Sequence, residues 1–317
     1  MSKAIHLSLL GLLALICLRG SALAQEGVTN STKNPAQIAI LHWYPANLTT
    51  SFTVGKSTAG VAFDGANIWV TDRFGQTVTK LRASDGAVLG TFGGLDNGPQ
   101  SIVFDGTNLW IGCAGVGTLD KVRASDGTVI GRFATTGGSF LAFDGSNIWV
   151  PNNQFSNPLM LKVRARDGVV LGRFAVGSGP SGVVFDGVNV WVANAGDNTV
   201  MKLRASDGAV LGTFPVGMNP SGVAFDGANI WVANLNDSTL TKLRASDGAV
   251  LGTFSIEHPE SVLFDGANIW VTSFGSVTKL RASDGAVLGT FVLTSPNGMA
   301  FDGANLWVTK GGSVLKL

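Results

Sequence analysis

Seven near-copies of the word FDG-x-N-(I/L/V)-W-(V/I), near-copies of KLRASDGAVLGTF between them, and no sustained helical periodicity in the mature chain predict an all-β fold. The expected architecture is a seven-bladed β-propeller of four-stranded antiparallel blades, its last blade closed by an N-terminal outer strand. The first word begins at Phe63, Phe104, Phe143, Phe185, Phe225, Phe264 and Phe301, so successive starts lie 41, 39, 42, 40, 39 and 37 residues apart. That spacing is the length of one four-stranded blade.

The unit Ser221 to Glu257 shows how one period divides. Gly222 to Phe225 and Asn229 to Ala233 read as the first two strands, joined by the tight-turn sequence Asp226-Gly227-Ala228. Thr239 to Arg244 and Ala249 to Phe254 read as the third and fourth, joined by Ser246-Asp247-Gly248, where glycine supplies the positive φ of a hairpin turn. In the second strand Ile230 and Val232 alternate with Trp231, so both faces are apolar and the sheet needs a neighbour on each side. Radial stacking provides those neighbours. The last period ends at Leu317 within its third strand, and Leu48 to Gly55 (LTTSFTVG) matches the fourth-strand pattern VLGTFPVG. The N-terminal segment therefore supplies the missing outer strand and closes the ring, which protects exposed edges.

Residues 1–24 have the form of a secretory signal: Lys3, an apolar run from Leu9 to Leu18, and Ala22-Leu23-Ala24 before Gln25. The run is too short to span a membrane, and Ile16 before Cys17 does not suit lipoprotein processing. The expected organisation is a signal peptide at 1–24, a linker at 25–45 and a propeller at 46–317, in a secreted or periplasmic monomer. Cleavage removes Lys3 and Arg19 from the 22 basic residues and none of the 21 acidic ones, leaving the signs nearly balanced. That balance gives no electrostatic reason to expect nucleic acid or an anionic membrane as partner. Cys113 is then the sole cysteine, so no intrachain disulfide is expected.

The segments Pro215 to Asn234 (PVGMNPSGVAFDGANIWVAN) and Thr241 to Phe254 (TKLRASDGAVLGTF) resemble the YVTN-type β-propeller repeat, with NHL-like and streptogramin-lyase-like propellers as relatives. The resemblance covers about residues 46–317 and implies the fold, which elsewhere hosts unrelated activities. The GH…WD pairing of WD repeats is absent, and Gly-Thr stands where quinoprotein repeats carry Trp, so no quinone cofactor is expected.

A site is a local departure from symmetry, so residues present in every period are assigned to the scaffold. These are the FDG aspartates, the Asp-Gly turn aspartates with their arginines, and the repeated tryptophans. The variation falls in the loops before the first strand and after the second, which leave a blade at the same end. That end is the expected ligand face, carrying Asp72, Arg73, Phe74, Asp96, Asn97, Asn152, Asn153, Phe155, Asn194, Asn234, Phe274 and Lys310. Asn-rich loops with phenylalanines suit a protein, peptide or glycan ligand, and a non-enzymatic binding scaffold is the preferred reading.

One position at the top of the second strands reads Asp72, Cys113, Asn152, Asn194, Asn234, Ser273 and Lys310 around the ring. If these side chains face the channel, Asp72, Asn152, Asn194 and Asn234 would suit a Ca²⁺ or Mg²⁺ ion at its mouth; no other cofactor is expected. Resemblance to lactonase and gluconolactonase propellers implies such a cation. Resemblance to streptogramin lyases implies a His general base with a metal-binding acid, for which Glu257, His258 and Glu260 are the candidates. A metal-dependent lactonase or lyase is thus the alternative, and a structural envelope repeat a third reading. Cys113 has no identifiable His partner and reads equally as a buried small residue.

Overall fold

The computed structural model describes residues 50–152 and 157–317. Within them are 28 strands, β1 to β28 in chain order, arranged as seven four-stranded antiparallel sheets. Blade 1 comprises β2 (Thr58–Phe63), β3 (Asn67–Asp72), β4 (Thr77–Arg82) and β5 (Val88–Phe92), and blades 2 to 7 follow in sequence order. Each word beginning at an FDG phenylalanine joins the first strand of a blade to the second, as in β18 (Pro220–Phe225) and β19 (Asn229–Asn234) of blade 5. The expected signal segment, the linker, Asn153 and Phe155 lie outside the described residues.

Closure follows the sequence reading. Blade 7 has β26 (Pro296–Phe301), β27 (Leu306–Lys310) and β28 (Ser313–Lys316), and its outer strand is β1 (Ser51–Thr53), with Phe52 opposite Val314. The first strands lie innermost, and β2 packs against both β6 (Pro99–Phe104) and β26. Glycine in several first strands permits that approach: a Cβ on Gly182 or Gly222 would collide with the backbone of the next blade.

The repeated words explain how one blade grips the next. In blade 5 the Trp231 indole is fully buried, donates from Nε1 to Asp226 Oδ2 at 2.8 Å, and stacks on Phe254 at 5.4 Å. Its other neighbours include Ile269, Val271 and Leu280 of blade 6. Lys242 Nζ sits 4.9 Å from the indole centroid and donates to the Ala282 carbonyl of blade 6 at 2.7 Å. The lysine is thus partnered on both sides, which permits its burial between sheets. The same device closes the ring, with Phe52 against Trp307 at 5.7 Å and Lys316 Nζ donating to Ala83 and Ser84 of blade 1.

The repeated aspartates are scaffold, as their periodicity implies. Asp226 also accepts from the Ala228 and Asn229 backbones. Burial works against its charge, but the bonds from Trp231, Asn229 and Ala228 outweigh it and hold the carboxyl below the ordinary range. The turn aspartates pair with arginine three residues earlier, as Asp247 does with Arg244 at 2.8 Å, exposed to solvent where such pairs contribute little.

Blade 2 breaks the pattern at Asp120, which faces Ile111 in register where blade 5 places Thr241 opposite Val232. Its carboxylate is fully buried, accepts from the Asp96 amide at 2.9 Å, and leaves Oδ1 without a hydrogen bond, 3.6 Å from Arg132 Nε. Burial first and the Asp96 charge second raise its pKa against the help of the Asp96 amide and Arg132. A raised carboxyl pKa means the folded state binds the proton more tightly, so stability is lost as pH rises from the ordinary carboxylate range through the folded value. Asp120→Thr is therefore expected to raise stability at neutral pH by about 1–3 kcal/mol, with the gain shrinking as pH falls, in denaturant titrations across that range. An advantage that stays constant with pH would contradict this assignment.

Candidate functional site at the channel mouth

All seven blades contribute to a central cavity of about 510 Å³, a volume in the range of small-ligand sites, blade 3 through Ser139, Phe140 and Leu141 just before its short first strand β10 (Ala142–Phe143). Two layers of its wall can be read from the repeat. The residue two before each FDG phenylalanine forms an apolar collar: Val61, Ile102, Leu141, Val183, Val223, Val262 and Met299. The residue four before it forms a ring nearer the variable end: Ala59, Gln100, Ser139, Ser181, Ser221, Glu260 and Asn297, all but Ser181 lining the cavity. A second cavity of about 520 Å³ adjoins at blades 5 and 6, lined by Leu235, Glu257, His258, Glu260, Ser273, Phe274, Gly275 and Ser276. Leu235 and Glu260 line both, so Glu260 stands where the side pocket meets the channel.

The composition of the polar ring has a structural logic. In blades 4 and 5, Ser181 Oγ and Ser221 Oγ donate to the next blade's backbone, at Pro220 O and Glu260 O, both at 2.8 Å. Their second strands carry Ala193 and Ala233. Blades 1, 6 and 7 instead carry Thr71, Thr272 and Thr309 there, whose Oγ1 atoms accept from the amides of Gly60, Ser261 and Gly298 at 2.9, 3.0 and 2.8 Å. Thr309 Oγ1 also reaches the Ala59 carbonyl of blade 1 at 2.7 Å. In blade 2, Ser101 takes the bridging task, at 2.5 Å from Gly138 O. Another side chain thus bridges to the next blade in blades 7 and 2, the threonines of blades 1 and 6 bond within their own blades, and the ring position in blades 6, 7, 1 and 2 reads Glu260, Asn297, Ala59 and Gln100. Glu260 is the charged member, and burial alone pushes its carboxyl above the ordinary value.

The candidates read from sequence separate into three groups. Glu257, His258 and Glu260 do share one pocket, with Phe274 on its wall. Glu257 and His258 are exposed, and His258 has φ 43°, whereas Glu260 is on the strand β22 (Pro259–Phe264) and half-buried. Phe74 and Phe274 project into solvent, 78% and 76% exposed, while Arg73 and Asn97 are exposed and Lys310 is half-buried. Asp96 is taken up by Thr118 Oγ1 at 2.8 Å and by Arg132 Nε at 3.4 Å.

The third group is the proposed cation ring. None of Asp72, Asn152, Asn194 and Asn234 lines the channel cavity; each bonds within its own blade, Asp72 and Asn152 to the loop before the first strand and Asn194 and Asn234 to the third strand. Asp72 accepts the backbone amides of Lys56 and Ser57, both at 2.9 Å. Burial opposes its charge, but these bonds and those from Gly75 and Phe74 hold its carboxyl below the ordinary range. Asn152 Nδ2 donates to Thr136 Oγ1 at 2.6 Å, Asn194 Nδ2 to Thr199 Oγ1 at 3.2 Å, and Asn234 Nδ2 to Thr241 Oγ1 at 2.8 Å. Asn194 Oδ1, Asn234 Oδ1 and Ser273 Oγ are buried without hydrogen bonds, but these are neutral oxygens on separate blades. With its one carboxylate saturated by backbone amides, the set does not make a divalent-cation cage. Among the described residues no three His, Cys, Asp or Glu side chains group as metal ligands.

Cys113 is fully buried, and desolvation with the Asp120 and Asp96 charges pushes its thiol up to about 12, which removes it as a nucleophile near neutral pH. Sequence reasoning missed the channel ring itself. Its signal was present as the exchange between PSG with VA and xG or xS with VT, which becomes meaningful once those two positions are known to be neighbours.

No protein-family model and no curated protein sequence matches the chain. Solved structures do. A virginiamycin B lyase from Staphylococcus aureus superposes with a TM-score of 0.70 at 14% identity, covering 84% of this chain and 97% of that one. A streptogramin B lyase superposes with a TM-score of 0.69 at 15% identity, covering 83% and 93%. At such identities the likeness is one of architecture, and what this seven-bladed propeller shares with the streptogramin B lyases is their fold.

Proposed function

We propose that the chain is a binding propeller that presents the loops of its variable end, gathered around the channel mouth, to a protein, peptide or glycan. The observation that carries this reading is the placement of Phe74 and Phe274. The repeated tryptophans and the fourth-strand phenylalanines they stack on belong to the joints between blades, whereas these two stand on loops of the divergent end, each more than three-quarters exposed. Rigid aromatics on loops held by a stiff scaffold are the usual anchors of recognition. The test is binding to peptide and glycan arrays by the wild-type chain and the Phe74→Ala/Phe274→Ala variant. Loss of the array ligands by about tenfold or more in affinity, with unchanged thermal stability, is expected. Ligands that bind the variant as they bind the wild type would overturn the reading.

A second reading, a lyase related to the structural neighbours, is favoured by one observation: His258 shares its pocket with Glu257 and Glu260. Turnover of virginiamycin B that requires His258 would establish it. No turnover with or without Mg²⁺ would dismiss it.

A further inference from the structure

The channel ring is asymmetric for a reason that the scaffold does not supply. Ser139, Ser181 and Ser221 occupy one arc, and at least Ser181 and Ser221 are spent on joining blades. On the opposite arc, Glu260, Asn297, Ala59 and Gln100, the ring side chains make no such bridge: Thr309 and Ser101 reach the next blade in blades 7 and 2, and Thr272 and Thr71 bond the first strands of their own blades. Among the described residues the side chains of Glu260, Asn297 and Gln100 hold no hydrogen bond or ion pair within the protein. A half-buried carboxylate without a partner is costly, and the wall of this ligand-sized cavity also carries two primary amides, Asn297 on the next blade and Gln100 three blades on from Glu260.

We infer that this arc binds an alkylammonium group, with Glu260 as the counter-charge and the amide oxygens of Asn297 and Gln100 as further acceptors. An ammonium has three donors and no acceptor, which matches a wall offering one carboxylate and two carbonyl oxygens. The methylene stem has its own surface: Leu235 and Phe274 on the mouth side, Val262 and Met299 below. A guanidinium would need a planar bidentate carboxylate approach, and a neutral polyol would leave the charge of Glu260 unanswered. The inference rests on the variable end being the binding face, and it adds the chemistry that enters the channel.

Two sources carry an alkylammonium: a lysine side chain within a peptide and a free diamine. Calorimetric titration of the full chain should therefore use Nα-acetyl-lysine methylamide, cadaverine and the uncharged Nα-acetyl-norleucine methylamide. Binding by either amine but not by norleucine is expected, and the stronger of the two identifies the source. Glu260→Gln should weaken that binding by about tenfold or more while keeping the wild-type thermal midpoint. Asn297→Ala should weaken it less. No binding of either amine at millimolar concentration, equal binding of norleucine, or unchanged affinity in Glu260→Gln would overturn the inference. Each of those results leaves the array experiment on Phe74 and Phe274 standing, so the two readings fail separately.

Discussion

Replacing Trp231 by alanine is expected to lower the unfolding free energy by about 3–5 kcal/mol, the range for deleting a fully buried aromatic. The reason lies in how many contacts converge on one indole. Its Nε1 satisfies Asp226, its ring stacks on Phe254, its face carries Lys242, and its far side meets Ile269, Val271 and Leu280 of the next blade. Removing it leaves a cavity between two sheets and takes one hydrogen bond from a carboxylate already opposed by burial. Chemical denaturation of Trp231→Ala beside Phe274→Ala separates scaffold from surface. The first should show the full loss and the second almost none. A loss below about 1 kcal/mol for Trp231→Ala would mean that the repeated tryptophan is not the grip between blades.

Removing the closing strand is expected to be as damaging. A chain beginning at Val54 lacks β1, so blade 7 keeps three strands, β28 becomes an open edge, and Trp307 loses Phe52. Because β1 is the covalent link that seals the first and last blades, its loss affects both blades at that joint. The expected result is a lower unfolding midpoint and concentration-dependent association on size-exclusion chromatography, since unpaired edges template pairing with other chains. A chain beginning at Ala46 keeps β1 and serves as the reference. If the two truncations behave alike, β1 does not close the ring.

The fold was legible because its cause is periodic. The Phe63 to Val308 words set the blade count, the Asp-Gly turns set the hairpins, and the match of Leu48 to Gly55 with VLGTFPVG anticipated β1. The strand limits differ from the reading by one or two residues, for example Pro220–Phe225 where Gly222 to Phe225 was expected. Subtracting the repeat correctly set aside Asp226 and Asp247, whose bonds are local and structural.

The site was less legible because sequence does not say which way a strand-end side chain turns. Asp72, Asn152, Asn194 and Asn234 align around the ring, yet they fold back on loop amides and threonine hydroxyls instead of lining the channel. Glu260 reads as one of two loop acids beside His258, and its place on β22 puts it inside the channel while Glu257 stays outside. A proline opens the first strand in blades 2, 4, 5, 6 and 7, and in blades 2, 5, 6 and 7 the residue after it lines the cavity.

If the repeat is scaffold, recognition belongs to the end that breaks it, at the channel mouth, and a crystal structure of the protein with its tightest array ligand will show which end is used. The ligand is expected on the variable end, against Phe274 and above Glu260. A ligand seated on the opposite end, among the Asp-Gly turns, would contradict it.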